Sequence, residues 1–285
     1  MKTYNSVVSY AQRLLFWRKK FQAAGLTTAG LDARYLLLFA AKMDAAQLIS
    51  ADQNEIPADV SAAFDGMGER RLKGEPVARI LGEKEFFGHN FLLNKDTLVP
   101  RPETELIVDI ALERFPSDGR LLDLGTGSGA IAITILLEFP DAIGTAVDIS
   151  KGALDCAREN AIRHGVEDRL TLLQGSWFEP VEAQKFDLII SNPPYIGLDE
   201  RNQMNAEALG FDPQLALFAD EGGLAAYKSI IDRANEYLAG DGWLILEIGY
   251  RQADVVSKLL SDNGFDEIAK LSDLSGHDRA LLAQR

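Results

Sequence analysis

The chain has 285 residues, and its 29 Lys and Arg against 43 Asp and Glu leave a formal net charge of −14. With 47% hydrophobic and 25% charged residues, the composition is that of a globular protein long enough for about two domains, which excludes disordered, collagenous and fibrous classes. The acidic balance repels phosphate backbones, the single cysteine Cys156 has no internal disulfide partner, and no apolar run approaches the roughly 20 residues of a membrane helix.

The apolar run over residues 36–41 stops at Lys42, and Met1, Lys2, Thr3 and Tyr4 do not open a charged region followed by an apolar signal core. A cytoplasmic protein without membrane partners is expected. Arg70, Arg71 and Lys73 make only a short basic patch, so duplex nucleic acid is disfavoured.

From Val7 to about Leu72 apolar side chains recur at helical spacing. Val7, Ala11, Leu14, Leu15, Arg18 and Phe21 form the first stripe, which Gly25 ends. Asp32 is expected to cap a run over residues 33–41 and Asp44 a third helix, while Pro57 opens a fourth carrying Val60, Phe64, Met67 and Leu72. Residues 1–74 thus predict a small helical bundle. It offers no nucleophile, metal cluster or phosphate loop, which points to binding or positioning, here docking of the substrate.

Residues 75–99 predict a β-hairpin linker. Gly74, Glu75 and Pro76 break the helical period, and Glu85-Phe86-Phe87 and Phe91-Leu92-Leu93 read as strands around Gly88-His89-Asn90. Pro100-Arg101-Pro102-Glu103-Thr104-Glu105 reads as a stiff extended loop before a helix that starts at Leu106. From Arg120 short apolar runs alternate with helical stretches. Strands are predicted at 121–124, 143–147, 170–173, 186–190 and 244–248. The helices between them cover 130–138, 152–164 closed by Gly165, 224–238 closed by Gly240 and 252–261 closed by Gly264. Residues 100–285 are therefore an α/β domain with a mostly parallel sheet.

Two loops carry the chemistry. Gly125, Thr126, Gly127, Ser128 and Gly129 join the first strand of this domain to a helix, where backbone can approach a nucleotide-like ligand, although a plain strand-to-helix turn has the same look. Their Gly-x-Gly-x-Gly spacing is not that of a dehydrogenase fingerprint, and no Tyr-Lys or His-Asp pair accompanies it. Asp148 ends the next strand, where an acid can accept two hydrogen bonds from a ribose diol or, alternatively, cap the helix that follows. Trp177 follows the third strand and offers a face to an adenine or simply packs into the core.

The fourth strand ends in Asn192-Pro193-Pro194-Tyr195. Two adjacent prolines remove two backbone donors, leaving the Asn192 side-chain oxygen and the Pro193 carbonyl as acceptors for an incoming NH2 group. Tyr195 adds a flat face for a planar amide or ring. His89, His164 and His277 read as surface residues and Cys156 as helix packing, so no general base and no metal site is expected.

The glycine loop, the acid after the second strand and Asn-Pro-Pro-Tyr after the fourth resemble class I S-adenosylmethionine-dependent N-methyltransferases. Beyond that core, residues 76–82, Glu85-Phe86-Phe87-Gly88, residues 100–105 and Leu246-Glu247-Ile248-Gly249-Tyr250 resemble the bacterial peptide-chain release factor glutamine methyltransferases. The resemblance implies a Rossmann-like, mostly parallel seven-stranded sheet behind a helical N-terminal domain. It implies S-adenosylmethionine at Gly125 to Gly129, Asp148, Trp177 and Asn192, and substrate contacts at Asn192, Pro193, Pro194 and Tyr195, with Asn192 and Pro193 catalytic. The substrate it implies is the glutamine of the Gly-Gly-Gln loop of class I release factors, and a monomer is expected. One departure falls at Gly210-Phe211-Asp212-Pro213, a lid-like segment where the family often has Glu-Pro. An adenine or guanine N-methyltransferase shares Asn-Pro-Pro-Tyr, and a protein that binds cofactor or release factor without turnover is a further alternative.

Overall fold

The computed structural model describes residues 8–285, so Val7 and the first four residues lie outside the described part. The chain divides into two compact units, the first ending at Gly82 and the second running from Glu83 to Arg285.

The first unit is helical: α1 (Tyr10–Ala23), α2 (Ala29–Ala41), α3 (Ala45–Ser50), α4 (Ala58–Leu72) and α5 (Val77–Leu81). Ser9 and Asp44 each close a capping box, satisfying amides that the first turn leaves without partners. The buried stripe of α1 is Tyr10, Trp17 and Phe21 rather than the one read from Val7, because Trp17 packs against Phe21 and Phe64 while Leu15 and Arg18 face solvent. Asp32 does not cap a helix. It lies inside α2, which starts after Thr28, and its buried carboxylate accepts from Arg71 Nε at 2.7 Å. Arg70 pairs with Glu75 and Arg71 with Asp32, so two of the three cations of the short basic patch are matched within their own unit. The five-residue α5, set after Pro76, lies beyond the break at Gly74 and belongs to this unit.

The second unit opens with the hairpin β1 (Glu83–Phe86) and β2 (His89–Leu92). Its two-residue turn is Phe87-Gly88, both at positive φ, the geometry that matches strand twist. Residues 102–104 form a single 3-10 turn, not an extended run, and lead into α6 (Glu105–Arg114). There follow β3 (Arg120–Leu124), α7 (Ala130–Glu138), β4 (Ile143–Asp148), α8 (Lys151–His164), β5 (Leu170–Gln174) and β6 (Phe186–Ser191). Then come α9 (Ala206–Phe211), α10 (Gln214–Leu217), the turn α11 (Asp220–Gly223), α12 (Ala225–Tyr237), β7 (Leu238–Glu247), α13 (Ala253–Asp262), β8 (Glu267–Ser272) and β9 (Asp278–Gln284). Gly240 does not close α12, because the chain passes directly into β7, which contains it.

The seven strands lie in the order β5-β4-β3-β6-β7-β9-β8, with only β9 running against its neighbours. Alternate residues of each strand enter two cores, Leu121, Leu188 and Ile190 on one face and Leu122, Ile189 and Leu246 on the other. Both faces are covered, which is why the strands read as unbroken apolar runs. No helix among the described residues is long and apolar enough to cross a membrane.

Candidate functional site

Sheet register brings the chemistry together. Leu124 pairs with Val147 on one side and Ser191 on the other, and Ser191 pairs with Leu246. The next residues along these strands, Gly125, Asp148, Asn192 and Glu247, therefore share one carboxyl edge, the place where open α/β sheets bind ligands. Arg279 joins them from β9, since Glu247 pairs with Ala280.

At this edge Gly125, Gly127 and Gly129 all take positive φ. The Gly125 and Thr126 amides both donate to the Val147 carbonyl, at 2.8 and 3.0 Å, and fold the loop across the strand end. The Gly127 amide donates to Asp148 Oδ2 and the Ser150 amide to Oδ1, each at 2.8 Å. The cap of α8 is Ser150, whose hydroxyl accepts from the Ala153 amide, so Asp148 anchors the loop and keeps further lone pairs for a ligand. Burial raises the proton affinity of Asp148 above the usual carboxylate range, and the amides of Ser150, Gly127 and Ile149 oppose it. Behind the loop Asp123 is fully enclosed, and burial pushes its pKa up to about 7 despite the bond that the Thr126 hydroxyl donates at 2.6 Å.

A cavity of about 310 Å³ opens here, lined among others by Gly125 to Ser128, Asp148, Ile149, Trp177, Thr104, Asn192 and Pro194, with Leu215 and Ala216 from the α10 segment. Gly129 is not in its wall. That residue serves packing, because an added Cβ would stand 2.8 Å from Ile133 Cδ1. A second cavity of about 240 Å³ is lined by Arg101, Glu103, Asn192, Tyr195, Glu247 and Arg279 among others. Asn192 lines both cavities, and the two other residues that do, Leu98 and Ala216, are apolar. Pro193 is buried and lines neither.

The Asn192 Nδ2 donates to the Thr104 hydroxyl at 3.1 Å. The Tyr195 hydroxyl donates to Glu247 Oε1 at 3.4 Å, and the Tyr195 carbonyl accepts from Gln252 Nε2 at 2.9 Å. Glu247 is 2% exposed, and burial pushes its pKa up to about 7, against the pull of the Thr104 hydroxyl, Arg279 and Tyr195. Burial, then Glu247, raises the Tyr195 phenol well above its ordinary value, so it stays a neutral donor. Asp212 is buried and pairs with Arg101 at 3.2 Å, which ties the α9–α10 segment to the loop before α6. None of the three histidines lines either cavity, and no cluster of metal-ligating side chains occurs among the described residues.

Residues 103–210 match the family described as Methyltransferase small domain, and residues 12–82 match the PrmC N-terminal domain. The release factor glutamine methyltransferase of Neisseria gonorrhoeae is 42% identical over 257 residues, covering 89% of this chain and 93% of that one. The chain belongs to the release factor glutamine methyltransferase family. It also matches the bifunctional methyltransferase of Rickettsia bellii at 40% identity over 92% of its own length, and spans about half the length of the Rickettsia bifunctional relatives. A methyltransferase from Pyrococcus furiosus, 19% identical with a TM-score of 0.54, covers 77% of this chain and 98% of its own, and shares the fold.

Members of this family are S-adenosylmethionine-dependent enzymes, and the first cavity fits that donor. A carboxylate at Asp148 that could meet a diol, apolar surface at Trp177 and Ile149 that could meet a base, and open space above Gly127, where an added Cβ would meet no atom within 4 Å, all border it. Glu247 and Thr104 carry no assigned role in the sequence reading, although both lie in quoted motifs. The signal was available for Glu247: like Asp148, it is an acid that closes an apolar strand run.

Proposed function

We propose that the chain methylates the side-chain amide nitrogen (N5) of the glutamine in the Gly-Gly-Gln loop of class I release factors. The observation that supports this best is the place of Asn192 in the wall common to both cavities, where a donor in one meets an amide in the other. When bound, S-adenosylmethionine supplies an electrophilic sulfonium methyl group. An amide nitrogen is a poor nucleophile because its lone pair is delocalised into the carbonyl. Asn192, which lines both cavities, accepts one amide hydrogen through Oδ1, which raises electron density on nitrogen and fixes the direction of its lone pair, while Pro193, buried outside both cavity walls, holds the turn that presents it. Positive charge passes to nitrogen during transfer, so this fixed dipole stabilises the transition state more than the ground state. Pro194 and Tyr195 hold the plane of the amide. The proton becomes acidic only after the nitrogen is alkylated, and no strong base is required.

The same reading makes the helical unit the dock for the release factor body and the enzyme a cytoplasmic monomer. A nucleic-acid target is disfavoured by the net charge of −14 and by the internal pairing of Arg70 and Arg71. One methyl-transfer assay tests the whole reading, using whole release factor, its Gln-to-Ala variant, a short Gly-Gly-Gln peptide, DNA and transfer RNA. Whole release factor is the preferred acceptor, and the peptide has a higher KM. Asn192→Ala lowers turnover about 10²-fold or more, the usual loss for a preorganised dipole, and leaves donor affinity within about tenfold. Near-normal methylation by that variant, or methylation of the Gln-to-Ala release factor, refutes the reading.

A further inference from the structure

We propose that Thr104 is a positioning residue, whose hydroxyl holds the Asn192 carboxamide in the one orientation that turns its oxygen toward the junction of the two cavities. The inference rests on the reading of Asn192 as the acceptor for the substrate amide. A carboxamide has two ends of nearly equal size and opposite hydrogen-bonding sense, so its neighbours decide which end faces the ligand. Turned over, Asn192 would present an NH2 group to an incoming NH2 group, and the site would repel its substrate. Thr104 is buried and receives Nδ2 at 3.1 Å. A hydroxyl can also donate, and if it donated to Asn192 the flipped orientation would be favoured instead.

Glu247 bears on that choice. The observed bond runs from Asn192 Nδ2 to the Thr104 oxygen, which leaves the hydroxyl hydrogen to turn away from Asn192. The Glu247 carboxyl offers it an acceptor, in keeping with the lowering that Thr104 exerts on the proton affinity of Glu247. Tyr195 donates to Oε1 of the same group, so the carboxyl that orients Thr104 also steadies the ring beside the acceptor. Backbone supplies the precision: Thr104 closes a 3-10 turn behind Pro102, and Glu247 sits one residue beyond the Ser191–Leu246 pair.

The test measures steady-state methylation of whole release factor, together with donor affinity by calorimetry, for Thr104→Val, Thr104→Ser, Asn192→Ala and the Thr104→Val/Asn192→Ala pair. Val keeps the shape and deletes the hydroxyl, so kcat falls about tenfold or more while KM and donor affinity stay within about threefold. Ser restores kcat to within about threefold of the parent. In the Asn192→Ala background Thr104→Val costs less than about twofold, since there is no carboxamide left to orient. Normal kcat in Thr104→Val, an equal loss in Thr104→Ser, or a fall in donor affinity as the main effect overturns the inference. Should Asn192→Ala itself be fully active, the underlying reading of the acceptor fails instead. Thermal melts of all four variants separate these outcomes from loss of fold.

Discussion

The helical unit and the carboxyl edge of the sheet both bury carboxylates, and they treat them in opposite ways. Asp32 in α2 is matched by Arg71 of α4 at 2.7 Å, with both side chains under 10% exposed. Asp123 and Glu247 are enclosed as deeply, but their nearest hydrogen-bond partners are hydroxyls, of Thr126 for one and of Tyr195 for the other. A matched pair is silent chemistry: it locks two helices in register and leaves little polarity for a ligand. A carboxyl met by neutral donors keeps its proton affinity high and orients the groups around it, as functional sites require. The difference separates a unit held together by a matched internal charge pair from the sheet edge where the candidate site lies.

The largest effect that tests this contrast is in the helical unit. Arg71→Met strands Asp32 in an apolar core and costs about 3–5 kcal/mol, measured by urea unfolding, because an uncompensated buried charge remains. The pair Arg71→Met/Asp32→Leu recovers most of that loss, since an apolar replacement of both partners is close to neutral. A single variant costing under about 1 kcal/mol would mean the pair is not the lock described here. Methyl transfer to a short peptide is unaffected wherever the variant stays folded.

At the sheet edge the next effect in size belongs to Asp148, which holds two backbone amides and fronts the larger cavity. Asp148→Ala releases the Gly127 and Ser150 amides and lowers donor affinity by about 10–100-fold, or about 1.4–2.8 kcal/mol, read by calorimetry. Asp148→Asn retains one acceptor and loses less. Equal affinity in all three proteins would remove Asp148 from the donor site.

Much of this arrangement was legible beforehand, for reasons that differ by residue. Strands β3 to β7 and the glycine loop announce themselves because a doubly covered parallel strand is a continuous apolar run with a backbone turn behind it. Asp32 defeats the capping expectation because an acid before an apolar stretch looks the same whether it caps a helix or pairs with a base 39 residues later. Trp17, not Leu15, faces the core, and periodicity alone does not say which of two adjacent stripes is buried. Strands β8 and β9 escaped because one is largely exposed and both pair antiparallel, with no crossover helix to frame them. The Thr104–Asn192 bond joins residues 88 positions apart, in a 3-10 turn and just past a strand end, which only the tertiary fold brings together.

The smallest effect is the sharpest test of the enclosed, uncountered acid. The pKa of Glu247 stands at about 7 in the folded chain against an ordinary value of 4.5, so between those values the folded state binds more protons than the unfolded one. Stability therefore falls as pH rises through that window, the reverse of a carboxylate held ionised by a base. Asp123 contributes a slope of the same sign, which the parent and a Glu247 variant share. Glu247→Gln retains an oxygen that accepts from Tyr195 and has no charge to bury. The stability difference between variant and parent thus moves toward the variant by about 1–3 kcal/mol between pH 5 and pH 8. Urea unfolding at the two pH values measures it. A difference that does not change with pH would show Glu247 ionised throughout, with Arg279 acting as its true counter-charge, and the contrast between the two units would disappear.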